Sequence, residues 1–169
     1  GLRLAMGGAG DRPWLGERLA VDPFQPQVLL FGSRRDGLLR STDHGETFTP
    51  IKGLPATLTR GLGVVAVLFD PGREGLVYVN AYDDGVYVSR DHGLTFQRLH
   101  GSPTEVLGMA LGREGALYLT AHSPQGIFKA ARPDGEAQAP QDITPPGGHP
   151  GFGPIAVDPS DGEHVVAAY

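Results

Sequence analysis

Short apolar runs separated by Gly, Pro and Asp punctuate the chain from end to end. Several alternate polar and apolar positions; others are wholly apolar and rich in β-branched and aromatic residues. Both patterns predict strands, the second kind packed between neighbouring sheets. The runs group in fours. The first group predicts strands over 17–21, 28–32, 37–41 and 47–52, and the second over 64–69, 76–81, 85–89 and 95–99. The third covers 106–111, 116–121, 126–131 and 141–144, and a fourth begins near Gly153 and stops after its second strand.

The groups are copies of one unit. The octapeptide Ser41-Thr42-Asp43-His44-Gly45-Glu46-Thr47-Phe48 recurs as Ser89-Arg90-Asp91-His92-Gly93-Leu94-Thr95-Phe96. Upstream, Leu19-Ala20-Val21-Asp22-Pro23 matches Val67-Leu68-Phe69-Asp70-Pro71 and returns as Ile155-Ala156-Val157-Asp158-Pro159. Four-stranded units of roughly 40 to 50 residues in series are the signature of propeller blades. The expectation is an all-β fold: one β-propeller domain with blades over 17–55, 64–103 and 106–145 and an incomplete blade from 153. A blade buries both faces only against neighbours, and three and a half blades do not close a ring. With Gly1 in place of an initiator Met and an apolar run at the last residues, the expectation is a partial propeller.

Composition agrees and removes alternatives. Gly 26 and Pro 15, spread along the chain, demand many turns. A net charge of −5 supplies no basic stripe for phosphates, which argues against nucleic acid. No apolar run approaches the roughly 20 residues of a membrane span. The absence of Cys removes disulfides and thiolate metal sites without fixing a compartment. No cofactor or metal is expected.

The repeated box Ser-x-Asp-x-Gly-x-Thr-Phe falls in the turn between the third and fourth strands of a blade. Asp43 and Asp91 are candidate catalytic acids or Ca²⁺ ligands on one reading. On the other they accept backbone N–H groups as Asx-turns do, with Gly45 and Gly93 supplying positive φ. Ser41 and Ser89 then tie the hairpin, Thr47 and Thr95 close it, and Phe48 and Phe96 pack between blades. This structural reading accounts for every fixed position. Catalytic residues are rarely duplicated blade after blade, so it is preferred. His44 and His92, at the free position of the box, are expected to be exposed turn residues. In the third unit Asp134-Gly135 stands without Ser or a closing Thr-Phe, which predicts a looser turn.

Antiparallel strands send successive loops to opposite faces of the disc. The turns after the first and third strands share one face, taken up by Asp-Pro turns and boxes. The other face carries the irregular loops, where function tends to sit. Trp14, Tyr82 and Phe152, with Arg18, Arg34 and Asp83 among them, suit a saccharide: rings pack on pyranose faces and polar groups bond hydroxyls. Trp14 also reads as a cap on the propeller rim, and Arg34–Asp36 as a solvated pair. The loop 122–125 lies on the same face.

The stretch Trp14-Leu15-Gly16-Glu17-Arg18-Leu19-Ala20-Val21-Asp22-Pro23, followed by Phe31-Gly32-Ser33-Arg34, resembles the family 74 glycoside hydrolases, the xyloglucanases. Later segments, such as Gly115-Ala116-Leu117-Tyr118 and Gly151-Phe152-Gly153-Pro154-Ile155-Ala156-Val157-Asp158-Pro159, follow in the family's order. The resemblance implies two propellers facing each other across a cleft for a xylose-branched β-1,4-glucan. It implies an inverting mechanism with two Asp residues, one protonating the leaving oxygen and one activating water. Neither family context for those residues is found here, so no catalytic residue is carried over. A second propeller of the same parent chain and secretion are expected on the same ground. The alternative is a non-catalytic Asp-box propeller that binds a protein or scaffolds an assembly. A sialidase would need an early Arg motif that is missing.

Overall fold

The computed structural model describes residues 16–54, 63–131, 139–147, 153–158, 160–161 and 164–167. The first sheet is formed by β1 (Leu19–Val21), β2 (Leu29–Gly32), β3 (Leu38–Ser41) and β4 (Thr49–Pro50). The second holds β5 (Val64–Phe69), β6 (Val77–Ala81), β7 (Gly85–Ser89) and β8 (Gln97–Arg98). The third holds β9 (Val106–Leu111), β10 (Leu117–His122), β11 (Gln125–Ala130) and β12 (Gln141–Asp142). A two-stranded sheet of β13 (Ile155–Val157) and β14 (Val165–Ala167) follows. Strand order in each sheet is the order of the chain, and every pairing is antiparallel.

Each predicted run therefore becomes a strand, with most shortened at the ends. The outermost strand shrinks most, from 47–52 to Thr49–Pro50 in the first blade. The box hydrogen bonds hold its start in the turn instead of the ladder. The looser turn expected around Asp134-Gly135 lies outside the described residues.

Sheet faces pack against one another in sequence. Leu30 and Leu38 of the first blade meet Val64, Val67, Val77 and Val79 of the second. Tyr78, Val86 and Val88 on the second blade's other face meet Val106, Leu117, Leu119 and Phe128 of the third. Every residue of β6 is buried, as a strand covered on both faces requires. In β1, by contrast, Leu19 and Val21 are 49% and 52% exposed, because their side of the sheet meets no other described blade. The innermost strands β1, β5, β9 and β13 stand side by side. Between them runs an open cleft of about 360 Å³ lined by Glu17, Val67, Met109 and Ile155.

Candidate functional site

The box hydrogen bonds assign a task to each fixed residue. Ser41 Oγ donates to Asp43 Oδ1 at 2.6 Å and accepts the Gly45 N–H at 2.9 Å. Asp43 Oδ1 accepts the Thr47 N–H at 2.9 Å, and Oδ2 accepts the Thr47 hydroxyl at 2.5 Å. The second box repeats the set: Ser89 to Asp91 at 2.7 Å, Gly93 N–H to Ser89 at 3.0 Å, and Thr95 N–H and hydroxyl to Asp91 at 2.9 and 2.5 Å. The turn needs two consecutive left-handed residues, His44 (φ 57°) with Gly45 (φ 88°), and His92 (φ 57°) with Gly93 (φ 77°). Gly93 has a further reason to be Gly, since a Cβ there would sit 2.8 Å from Leu30 Cδ1 of the first blade.

These bonds set the carboxylate chemistry. The Ser41 hydroxyl first, then the Thr47 hydroxyl and N–H, hold Asp43 at a pKa of about 2. Burial pushes Asp91 upward, but Ser89, Thr95 and Leu94 together bring it below the ordinary value. A general acid must keep its proton near working pH, and a base must be basic enough to take one. A carboxylate held near 2 with both oxygens engaged does neither well. The geometry is that of a staple. Phe48 meets Phe31 edge-on with ring centroids 6.4 Å apart, inside its own blade, while Phe96 packs on the cluster between the first and second blades.

His92 departs from expectation. His44 is exposed, but His92 Nδ1 lies 2.6 Å from Oδ2 of Asp22, a fully buried residue of the first blade. Its Nε2 is 3.1 Å from Gln25 Nε2. The other Asp22 oxygen accepts the N–H groups of Phe24 and Gln25 at 2.9 and 3.1 Å. Asp70, the repeat of Asp22, instead accepts from Arg73 Nε at 2.8 Å, and Arg73 Nη2 donates to Gly115 O of the third blade at 2.9 Å. The Asp-Pro turns thus join blade to blade on the face that carries the boxes.

A second set of ties reaches the start of the next blade's innermost strand. Arg18 Nη1 donates to Val64 O at 2.8 Å, Asn80 Nδ2 to Val106 O at 2.8 Å, and Thr120 Oγ1 to Gly153 O at 2.8 Å. Arg18, expected among the saccharide-facing groups, is half-buried and bonds across the blade seam. At Gly32 no side chain fits, since a Cβ would stand 2.7 Å from Val64 O.

On the opposite face the described loop ends are tied to one another by backbone bonds. Val64 N–H bonds Ser33 O at 3.1 Å, Tyr82 N–H bonds Gly63 O at 3.1 Å, and His122 N–H bonds Glu105 O at 2.9 Å. Tyr82 is 1% exposed and packs with Val65 and Leu107, so its ring offers no open face for stacking on a sugar. Asp83 is half-buried with φ 71°. Arg34 is half-buried beside exposed Arg35 and Asp36. Asp36 is not a simply solvated carboxylate, because it accepts the buried Ser33 hydroxyl at 2.7 Å. Trp14 and Phe152 lie outside the described residues. Sequence reasoning missed the network next to Asp83: Tyr87 donates to Asp84 Oδ2, and Arg98 Nε donates to Asp84 O at 2.6 Å. Burial, then the Asp84 bond, raises Tyr87 to about 12. Among the described residues no group of His, Cys, Asp and Glu is arranged to hold a metal ion.

The face offers hydrogen-bonding groups on backbone-tied loops, chemistry suited to a hydroxylated ligand. No protein-family model matches the chain. A probable oligoxyloglucan-reducing end-specific xyloglucanase of Neosartorya fischeri is 46% identical over 66 residues, 39% of this chain and 8% of that protein. The crystal structure of a GH74 enzyme of Niastella koreensis aligns with TM-score 0.71 and 29% identity, over 89% of this chain and 24% of that one. The GH74 xyloglucanase of Xanthomonas campestris gives TM-score 0.71 and 28% identity over 89% of this chain and 26% of its own. The chain thus spans about a quarter of the solved enzymes. In sequence and in fold the chain is thus similar to a segment of the family 74 glycoside hydrolases.

Proposed function

We propose that this propeller segment serves a glycoside hydrolase acting on xyloglucan or a related β-1,4-glucan, and that it supplies loops of the substrate cleft. The observation that supports this most is the division between two faces. One is filled by box staples and Asp-Pro ties, whose carboxylates are engaged in hydrogen bonds within and between blades. The other is built from non-repeating loops bearing Arg34, Arg35, Asp36, Asp83 and His122. The relatives named as xyloglucanases give the loops a substrate class, a polysaccharide rich in hydroxyls.

In such an enzyme an inverting mechanism needs one carboxylic acid to protonate the leaving oxygen and one carboxylate to activate water. Asp43 and Asp91 do not suit either role, so the acid and base belong to other parts of the parent enzyme, including a second propeller across the cleft. The part of this chain is to bind and orient.

The test is affinity electrophoresis of the chain in gels with and without xyloglucan, alongside a reducing-sugar assay. Retardation by xyloglucan without release of reducing ends is expected. Unchanged migration would overturn the cleft assignment, and hydrolysis would overturn the placement of the acid and base.

A further inference from the structure

The second and third blades solve the same backbone junction with different side chains. In both, the residue at or just past the end of the second strand donates its N–H to the residue before the same blade's first strand: Tyr82 to Gly63 O at 3.1 Å, His122 to Glu105 O at 2.9 Å. In the second blade that pair is apolar and closed, with Tyr82 1% exposed. In the third it is polar. His122 Nδ1 lies 2.8 Å from Glu105 Oε2, the carboxylate side chain is 11% exposed, and the imidazole is 45% exposed.

The fold does not demand this dyad. The backbone bond already closes the junction, Thr104 N–H to Ser123 O reinforces it at 3.3 Å, and Tyr with Gly serves the second blade. A buried carboxylate carries a desolvation cost, here matched with a side chain that is nearly half open to solvent. That arrangement fixes the orientation of an imidazole at the surface. Anchoring Nδ1 selects the tautomer and leaves the ring chemistry directed by the carboxylate. The dyad stands on the loop face, in a hairpin whose residues Ser123, Pro124 and Gln125 are all exposed.

We propose that His122 is a saccharide-contacting residue, exchanging hydrogen bonds with sugar hydroxyls, and that Glu105 is its positioning residue. This rests on the carbohydrate reading above and adds to it a named contact in the third blade. Removing one such contact weakens binding about fivefold to tenfold.

The test titrates the chain with a xylose-branched cellotetraose, following imidazole and amide resonances by NMR, for wild type, His122→Ala, His122→Gln and Glu105→Gln. Shifts at His122, Ser123 and Gln125 are expected, with binding about fivefold to tenfold weaker in H122A and less affected in E105Q and H122Q. Shifts confined to residues 34–36, with H122A binding like wild type, would overturn this contact and leave the carbohydrate reading standing. No shift anywhere on the loop face would overturn both.

Discussion

The seam between the first and second blades and the seam between the second and third carry out one task with different residues. At the inner edge, the first seam uses Arg18 on Val64 O and a bare Gly32, while the second uses Asn80 on Val106 O. At the box-bearing face, the first pairs buried Asp22 with His92, and the second runs from Asp70 through Arg73 to Gly115 O. The repeats preserve the acceptors and vary the donors. The Ser, Asp and Thr of the two boxes fasten a blade to itself, whereas the ties from one blade to the next change their donors from seam to seam.

The sharpest way to break the first seam is steric. Gly32→Val would press a side chain onto Val64, whose Cγ1 lies 2.6 Å from the added Cβ position. A loss of about 3 kcal/mol in urea unfolding is expected, since packed seams tolerate extra volume poorly.

Electrostatic ties come next. His92→Ala leaves the Asp22 carboxylate buried without its cross-blade partner and should cost about 2 kcal/mol. Arg73→Ala should cost less, about 1 kcal/mol, because Arg73 is 28% exposed and water can replace part of its contact. Equal losses would show that the two seams do not differ in the way described. His44→Ala is the matched control: the same box position with an exposed ring, and an expected change within about 0.5 kcal/mol.

Much of the blade architecture was legible because it repeats. The spacing of Asp22, Asp70 and Asp158 placed the innermost strands β1, β5 and β13, and the two boxes placed both stapled turns. The cross-blade ties were not legible. His44 and His92 occupy the same place in the same motif, yet among the described residues only His92 has an acidic partner across the seam, and that partner lies 70 residues away. Arg18 read as a surface cation for the same reason, its acceptor being a backbone carbonyl 46 residues on. Tyr82 was misplaced because an aromatic next to two Asp residues reads as a surface loop. The fold turns the ring inward against Val65 and Leu107. His122 was found as part of a loop, but nothing local announces that Glu105 holds it.

Acid should weaken the staples while leaving the seams' apolar contacts intact. Asp43 and Asp91 have folded-state pKa values below the ordinary 3.8, so their stabilisation is fully present above that value. It is lost as pH falls from 3.8 toward about 2 for Asp43. Urea midpoints measured from pH 5 downward should therefore fall below about pH 4, and D43N/D91N should flatten that fall. This is the smallest of the expected effects, since both turns are solvent-facing.

The central claim is that the repeated Asp residues fasten turns and that ligand chemistry belongs to the opposite face. Asp91→Asn tests it when thermal unfolding and migration in xyloglucan gels are measured on the same preparation. The account predicts a lower unfolding midpoint, by about 1 kcal/mol of stability, with retardation by xyloglucan unchanged below the transition. Wild-type stability with retardation lost would place Asp91 in the ligand site and contradict it.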